Sequence, residues 1–145
     1  MDDRAAASNG GDAIRGASMI VLRRDSVLMV ERAREPSKGL WSFPAGRAER
    51  GEVAEANARR ELFEETGLSV GEVVRLGEFR PPSGGAVFHI TVFAARAGEG
   101  MPVAADDAAR AEFVAFERVL TQPHTYGAVG WIARAIAALG GLPQR

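Results

Sequence analysis

Two apolar runs, at residues 17–22 and 27–30, flank a polar interval of Arg23, Arg24, Asp25 and Ser26, a pattern that predicts two strands joined by a turn. The next segment, 33–46, breaks all periodicity. It carries Pro36, Gly39, Pro44 and Gly46 around Trp41 and Phe43, and so predicts a loop with one short extended piece. Residues 52–66 are rich in helix formers without internal Gly or Pro, and Gly67 follows where a left-handed C-cap would end a helix. Residues 72–79 and 86–95 read as strands joined by a loop with Pro81 and Pro82. In the second, Phe88, Ile90, Val92 and Ala94 alternate with Val87, His89, Thr91 and Phe93. A short strand at 112–116 precedes Ala128, Ile132, Ala135, Ile136 and Leu139, whose spacing predicts an amphipathic helix near the C-terminus. Strands, helix, strands, helix in that order argue for an α+β domain in three layers, with helices on a mixed sheet.

At 145 residues, 46% hydrophobic and 26% charged, the chain matches one soluble domain that buries roughly two thirds of its unfolded surface. A formal net charge of -1 gives no basic field, so a nucleic acid polymer is not an expected partner. With no cysteine and two histidines, a metal site here must be built mainly from oxygen. Residues 1–15 are expected to be a disordered leader, their start acidic and without an apolar centre, and 16–145 a single domain. The apolar runs fall short of the roughly 20 residues that span a bilayer. A cytoplasmic protein with no membrane partner is expected.

Glu61, Glu64 and Glu65 fall within about a 100° arc of the helix, whereas Ala56 and Phe63 point the other way and are expected to pack. Like charges at these spacings cost a few tenths of a kcal/mol per pair, which a solvated face relieved by Arg59 and Arg60 would tolerate. The alternative is a hard divalent cation, which takes carboxylates, carbonyls and water and also binds phosphates.

The wider pattern weighs for the cation. Gly46 is followed at fixed intervals by Glu52, Arg60, Glu61, Leu62, Glu64, Glu65, Gly67 and Leu68. This stretch resembles the complete box of the Nudix hydrolases, and the likeness extends over roughly residues 16 to 140. It implies the Nudix fold, an α/β/α sandwich with a mixed sheet between helices. It also implies Mg²⁺, with Mn²⁺ as a substitute, bridging glutamates and a substrate diphosphate while water splits a nucleoside diphosphate linked to another group. By resemblance the metal ligands are Glu61, Glu64, Glu65 and the carbonyl of Ala45, with Glu61 a ligand or the general base. Glu112 matches a place where some MutT-type members carry a further catalytic or metal-binding glutamate, and Asp106 and Asp107 are its rivals. Gly46, Glu52, Arg60 and Gly67 are supports. Arg32, Arg34 and Phe43 are candidates to bind substrate, the arginines through their planar donor fork and Phe43 by stacking. Trp41 is expected as a core anchor, and Tyr126 and Trp131 as packing for the last helix. Two positions depart from the family pattern: Ala45 stands where glycine is usual, and Asn57 where alanine is common.

The expected partner is a small nucleotide diphosphate, and a homodimer is compatible with the sequence. Pro82, about fifteen residues beyond Gly67, loosely resembles a proline of ADP-ribose-hydrolysing members. A MutT-type hydrolase of oxidised nucleoside triphosphates is the close alternative. A nucleotide-binding module that does not cleave is the alternative of another class.

Overall fold

The structure is a computed structural model that describes residues 13–35, 37–81, 85–124 and 127–141. β1 (Ile14–Arg23) and β2 (Ser26–Arg32) form the first hairpin, paired at Leu22 with Val27 and Arg23 with Ser26. β1 begins inside the expected leader, so Ile14 and Arg15 belong to the sheet; residues 1–12 lie outside the described residues. The apolar run at 17–22 lacks alternation because both faces of β1 are covered. Ala17, Met19 and Val21 enter one core cluster, Ile20 and Leu22 the other.

Beyond their shared turn the two strands part, and the Pro/Gly segment fills the split. It contributes two short strands where one extended piece was expected. β3 (Trp41–Ser42) pairs with β2, and β4 (Ala45–Arg47) pairs with β1 through Gly16–Arg47, Ala17–Gly46 and Ser18–Ala45. β5 (Val74–Phe79) runs antiparallel to β6 (Phe88–Arg96), and β6 runs parallel to β1 along its length. β7 (Ala108–Ala115) starts four residues before the expected strand and lies antiparallel to β2. Among the described residues this makes a mixed seven-stranded sheet of order β3-β2-β1-β6-β5, with β4 on β1 and β7 on β2.

Helices cover both faces. α1 (Ala54–Thr66) places Ala58 and Leu62 against Met19, Val21, Leu28 and Phe93. On the other face lie α2 (Phe116–Val119) and α3 (Ala128–Ala138), whose Val119, Trp131, Ile132 and Ala135 pack with Trp41, Phe43, Val92 and Val114. The three-layer α+β expectation holds. Tyr126 lies outside the described residues.

α1 ends as its sequence directs. Gly67 takes φ 75° and its N–H donates to the Phe63 carbonyl at 2.8 Å, while the Thr66 hydroxyl donates to the Leu62 carbonyl at 2.7 Å. The helix starts two residues late, leaving Glu52 in the preceding loop. Its buried face is also not the expected one: Phe63 is 62% exposed and Ala56 is exposed. The sheet takes up Ala58 and Leu62, and that stripe draws Asn57 and Glu65 inward with it. The acidic side of α1 therefore borders the core instead of opposing it.

Candidate active site

Asn57, Glu61 and Glu65 succeed one another at four-residue steps and form one stripe along α1 beside its packing face. The stripe meets β4 in the split of the sheet. Gly46 sits so close to Glu61 that a Cβ there would lie 2.1 Å from the Glu61 carboxyl carbon. Glycine is needed here for space, not for its φ. Ala45 donates its backbone N–H to the Glu65 carboxyl. On an extended strand the N–H and C=O of one residue leave the same edge, so the Ala45 carbonyl is turned toward the carboxylates as well.

Since the group facing Gly46 is the tip of a flexible side chain, Gly46→Ala should fold. It should also push the Glu61 carboxyl out of place, with a melting temperature near the parent's and divalent-cation binding at least about tenfold weaker. Calorimetric titration beside a thermal melt checks this; parent-like binding would remove the close approach from the site.

Glu65 is 7% exposed. Burial first, and then the hydrogen bond with Glu61, push its pKa up to about 9. Burial also raises the pKa of Glu61, against the hydrogen bond from Glu65 and the charge of Arg60. At neutral pH the two carboxyls hold a proton between them.

Arg60 organises the surrounding acids. Its Nε and Nη2 donate to Glu52 at 2.8 and 2.9 Å, its Nη1 to Glu61 and Glu64 at 3.1 Å each, and its Nη2 also to the Arg47 carbonyl at 2.9 Å. That grip, together with the Glu49 N–H at 2.8 Å, holds the Glu52 carboxyl down at about 2. The one Nη1 thus holds Glu64 beside Glu61, and the charge of Glu64 is one of the influences raising the Glu61 pKa. Among the described residues no three acidic or histidine side chains converge closely enough to enclose an ion. The donor set nevertheless suits a hard cation: every group is oxygen, the Glu65 carboxyl is buried and hydrogen-bonded to that of Glu61, and Glu64 shares the Arg60 Nη1 with Glu61.

Other candidates fall on both sides of this group. Asp106, at φ 55°, makes the turn that brings Asp107 back, and the negative charge of Asp107 is one of the influences raising the Glu65 pKa. The same loop is tied to the end of α1 by Ala105 N–H to the Glu65 carbonyl at 3.1 Å and Val103 N–H to the Thr66 carbonyl at 2.9 Å. Arg34 pairs with Asp107 at 3.5 Å, which places it at the rim. Arg32 ends β2, where its backbone bonds Leu40 and Gly39.

The structure does not bring Glu112 to the carboxylates. It lies opposite Met29 in the β2–β7 register, and residues paired in that way share a sheet face, here the face under α3. Its carboxylate stands 3.7 Å from Arg118. Phe43, the candidate stacking group, is 8% exposed and packs in the core with Trp41. Pro82 lies outside the described residues.

The family model described as the NUDIX domain matches residues 13–135. The chain belongs to the NUDIX family. A putative 8-oxo-dGTP diphosphatase from Bacillus subtilis is 39% identical over 47% of this chain and 44% of its own length. The ADP-ribose pyrophosphatase of Methanocaldococcus jannaschii is 34% identical over 65% of this chain and 57% of its own. The chain thus spans about half the length of these two relatives. Among solved structures, the NUDIX domain of Shewanella oneidensis NrtR, complexed with ADP ribose, superposes with a TM-score of 0.80 over 96% of this chain and 99% of its own, at 17% identity. That likeness is one of fold.

Proposed function

We propose that the chain is a divalent-metal-dependent pyrophosphohydrolase that cleaves a nucleoside diphosphate linked to a second group, of the ADP-ribose kind. The observation that carries this reading is the hydrogen-bonded Glu61–Glu65 pair, Glu65 buried, seated on the backbone of Ala45 and Gly46. Mg²⁺, or Mn²⁺ in its place, would neutralise the diphosphate and lower the pKa of the attacking water. Glu61, Glu65, Glu64 after release from Arg60, and the Ala45 carbonyl would hold it. Arg60 fixes the direction of the Glu61 carboxylate, and Glu52 fixes Arg60. Arg34, exposed at the rim beside Asp107, is placed to meet a phosphate.

Asp107 is a better second acid than Glu112, because its charge already reaches Glu65 from a loop bonded to the end of α1. Asp107→Asn should therefore lower turnover by at least about tenfold, and Glu112→Gln should leave it within about threefold of the parent. The reverse order of effects would return the role to Glu112.

The name of the Methanocaldococcus relative supports the ADP-ribose substrate, and that of the Bacillus relative the oxidised nucleoside triphosphate. A nucleotide panel incubated with Mg²⁺ or Mn²⁺, its products resolved by mass, separates the two. Binding of a nucleotide without cleavage of any phosphoanhydride would move the chain to the class of non-catalytic binding modules.

A further inference from the structure

Asn57 is fully buried at the head of the Glu61–Glu65 stripe, at a position where the family commonly has alanine. Its Nδ2 donates to the carbonyls of Gly46 at 3.3 Å and Arg47 at 3.5 Å. Two carbonyl acceptors on one side fix the orientation of the amide, since a flip would set oxygen against oxygen. Its Oδ1 is the only buried side-chain nitrogen or oxygen without a hydrogen-bond partner among the described residues. A buried acceptor left unpaired is costly, and the two bonds on the donor side are long and therefore weak compensation. Alanine would avoid that cost, so packing alone does not account for the residue.

The neighbours supply a reason. The same Gly46 that Asn57 holds by its carbonyl is approached closely by the Glu61 carboxyl, one turn further along α1, and Ala45 beside it bonds Glu65. Asn57 therefore touches the one stretch of backbone on which both carboxyls rest. A hard cation held there keeps part of its water, and water brings the hydrogen that Oδ1 lacks.

We propose that Asn57 is a positioning residue of this site: its amide holds the Gly46–Arg47 backbone to α1, and its Oδ1 is the acceptor for a water that enters with the divalent cation. This rests on reading the Glu61–Glu65 pair as the seat of that cation. The donor half of the role exists in the cation-free protein, and the acceptor half is completed only on binding. Replacement of Asn57 thus acts on cation affinity more than on the fold.

The test measures Mn²⁺ binding to the cation-free protein, from the electron paramagnetic resonance signal of free Mn²⁺, together with melting temperatures in chelator and in Mn²⁺. Asn57→Ala should bind Mn²⁺ about tenfold more weakly or worse, and melt in chelator at or above the parent temperature. Asn57→Asp keeps the acceptor and the volume but adds a buried charge. It should melt lower in chelator and gain more from Mn²⁺ than the parent does. Parent-like Mn²⁺ affinity in Asn57→Ala, or no larger Mn²⁺ gain in Asn57→Asp, overturns the role. Glu65→Gln, run alongside, keeps the two ideas apart. Retained Mn²⁺ binding in that variant removes the cation site itself, whereas its loss there with parent-like binding in Asn57→Ala removes only the part assigned to Asn57.

Discussion

Glu65→Gln is expected to abolish turnover while leaving the cation-free protein at least as stable at neutral pH as the parent. Glu65 is 7% exposed and its pKa is pushed up to about 9, so at pH 7 it is a neutral acid that donates to Glu61 and accepts from the Ala45 N–H. A glutamine amide reproduces both bonds in the same volume, its NH₂ facing Glu61 and its oxygen facing Ala45. What it cannot do is become an anion when a cation arrives. Loss of a group that stabilises charge in a site of this kind costs on the order of 10²–10³ in rate, and loss of a metal ligand at least as much. The measurements are steady-state turnover on the preferred nucleotide and a thermal melt in chelator. A variant that melts well below the parent and still turns over normally would make Glu65 a structural residue and end the metal reading. Gln is the right replacement, because Ala would leave a cavity and deprive Ala45 and Glu61 of their partner together.

The elements were legible in the sequence wherever one local signal governed them. Gly67 ends α1 because a left-handed residue is needed there, and the alternation at 88–94 became β6 because the same residues divide between the faces of one strand. The burial of α1 was not legible. Charge spacing located the acidic arc, but only the sheet decides which neighbouring stripe is covered, and it took Ala58 and Leu62 in place of Ala56 and Phe63. The face on which Glu112 lies was hidden for a related reason. It depends on the register of Glu112 with Met29, a pairing across about eighty residues of chain that no local pattern encodes. Asn57 stood out in the sequence as a departure, yet its consequence is visible only in the distances to Gly46 and Arg47. The split between β1 and β2 that admits β4 was equally hidden. The Pro/Gly content of 33–46 announces a break in structure without saying that the broken segment will re-enter the sheet.

The cation-free protein should lose stability, relative to its Glu65→Gln variant, as pH rises from about 4.5 to about 9. The ordinary carboxyl value is 4.5, and burial followed by the Glu61 hydrogen bond pushes Glu65 up to about 9 in the fold. Between those values the folded chain keeps a proton that the unfolded chain has released, so the slope of unfolding free energy with pH is negative. The stabilisation is complete below the unfolded pKa and is lost as pH rises through the folded one. Glu61, also raised by burial, acts in the same sense. Glu52 acts in the opposite sense and in another window, because Arg60 holds it down at about 2, so its contribution is lost only as pH falls from 4.5 toward 2. Comparison with Glu65→Gln cancels every group the two proteins share, leaving the coupled carboxyl pair. A divalent cation bound to Glu61 and Glu65 displaces the shared proton, so saturating Mg²⁺ should flatten the parent's decline, bind more tightly at higher pH, and do neither in the variant. Melting temperatures of both proteins across this range, in chelator and in Mg²⁺, decide the matter. Parallel profiles in chelator would mean that Glu65 titrates as an ordinary carboxylate, and the buried proton-sharing pair would have to be abandoned.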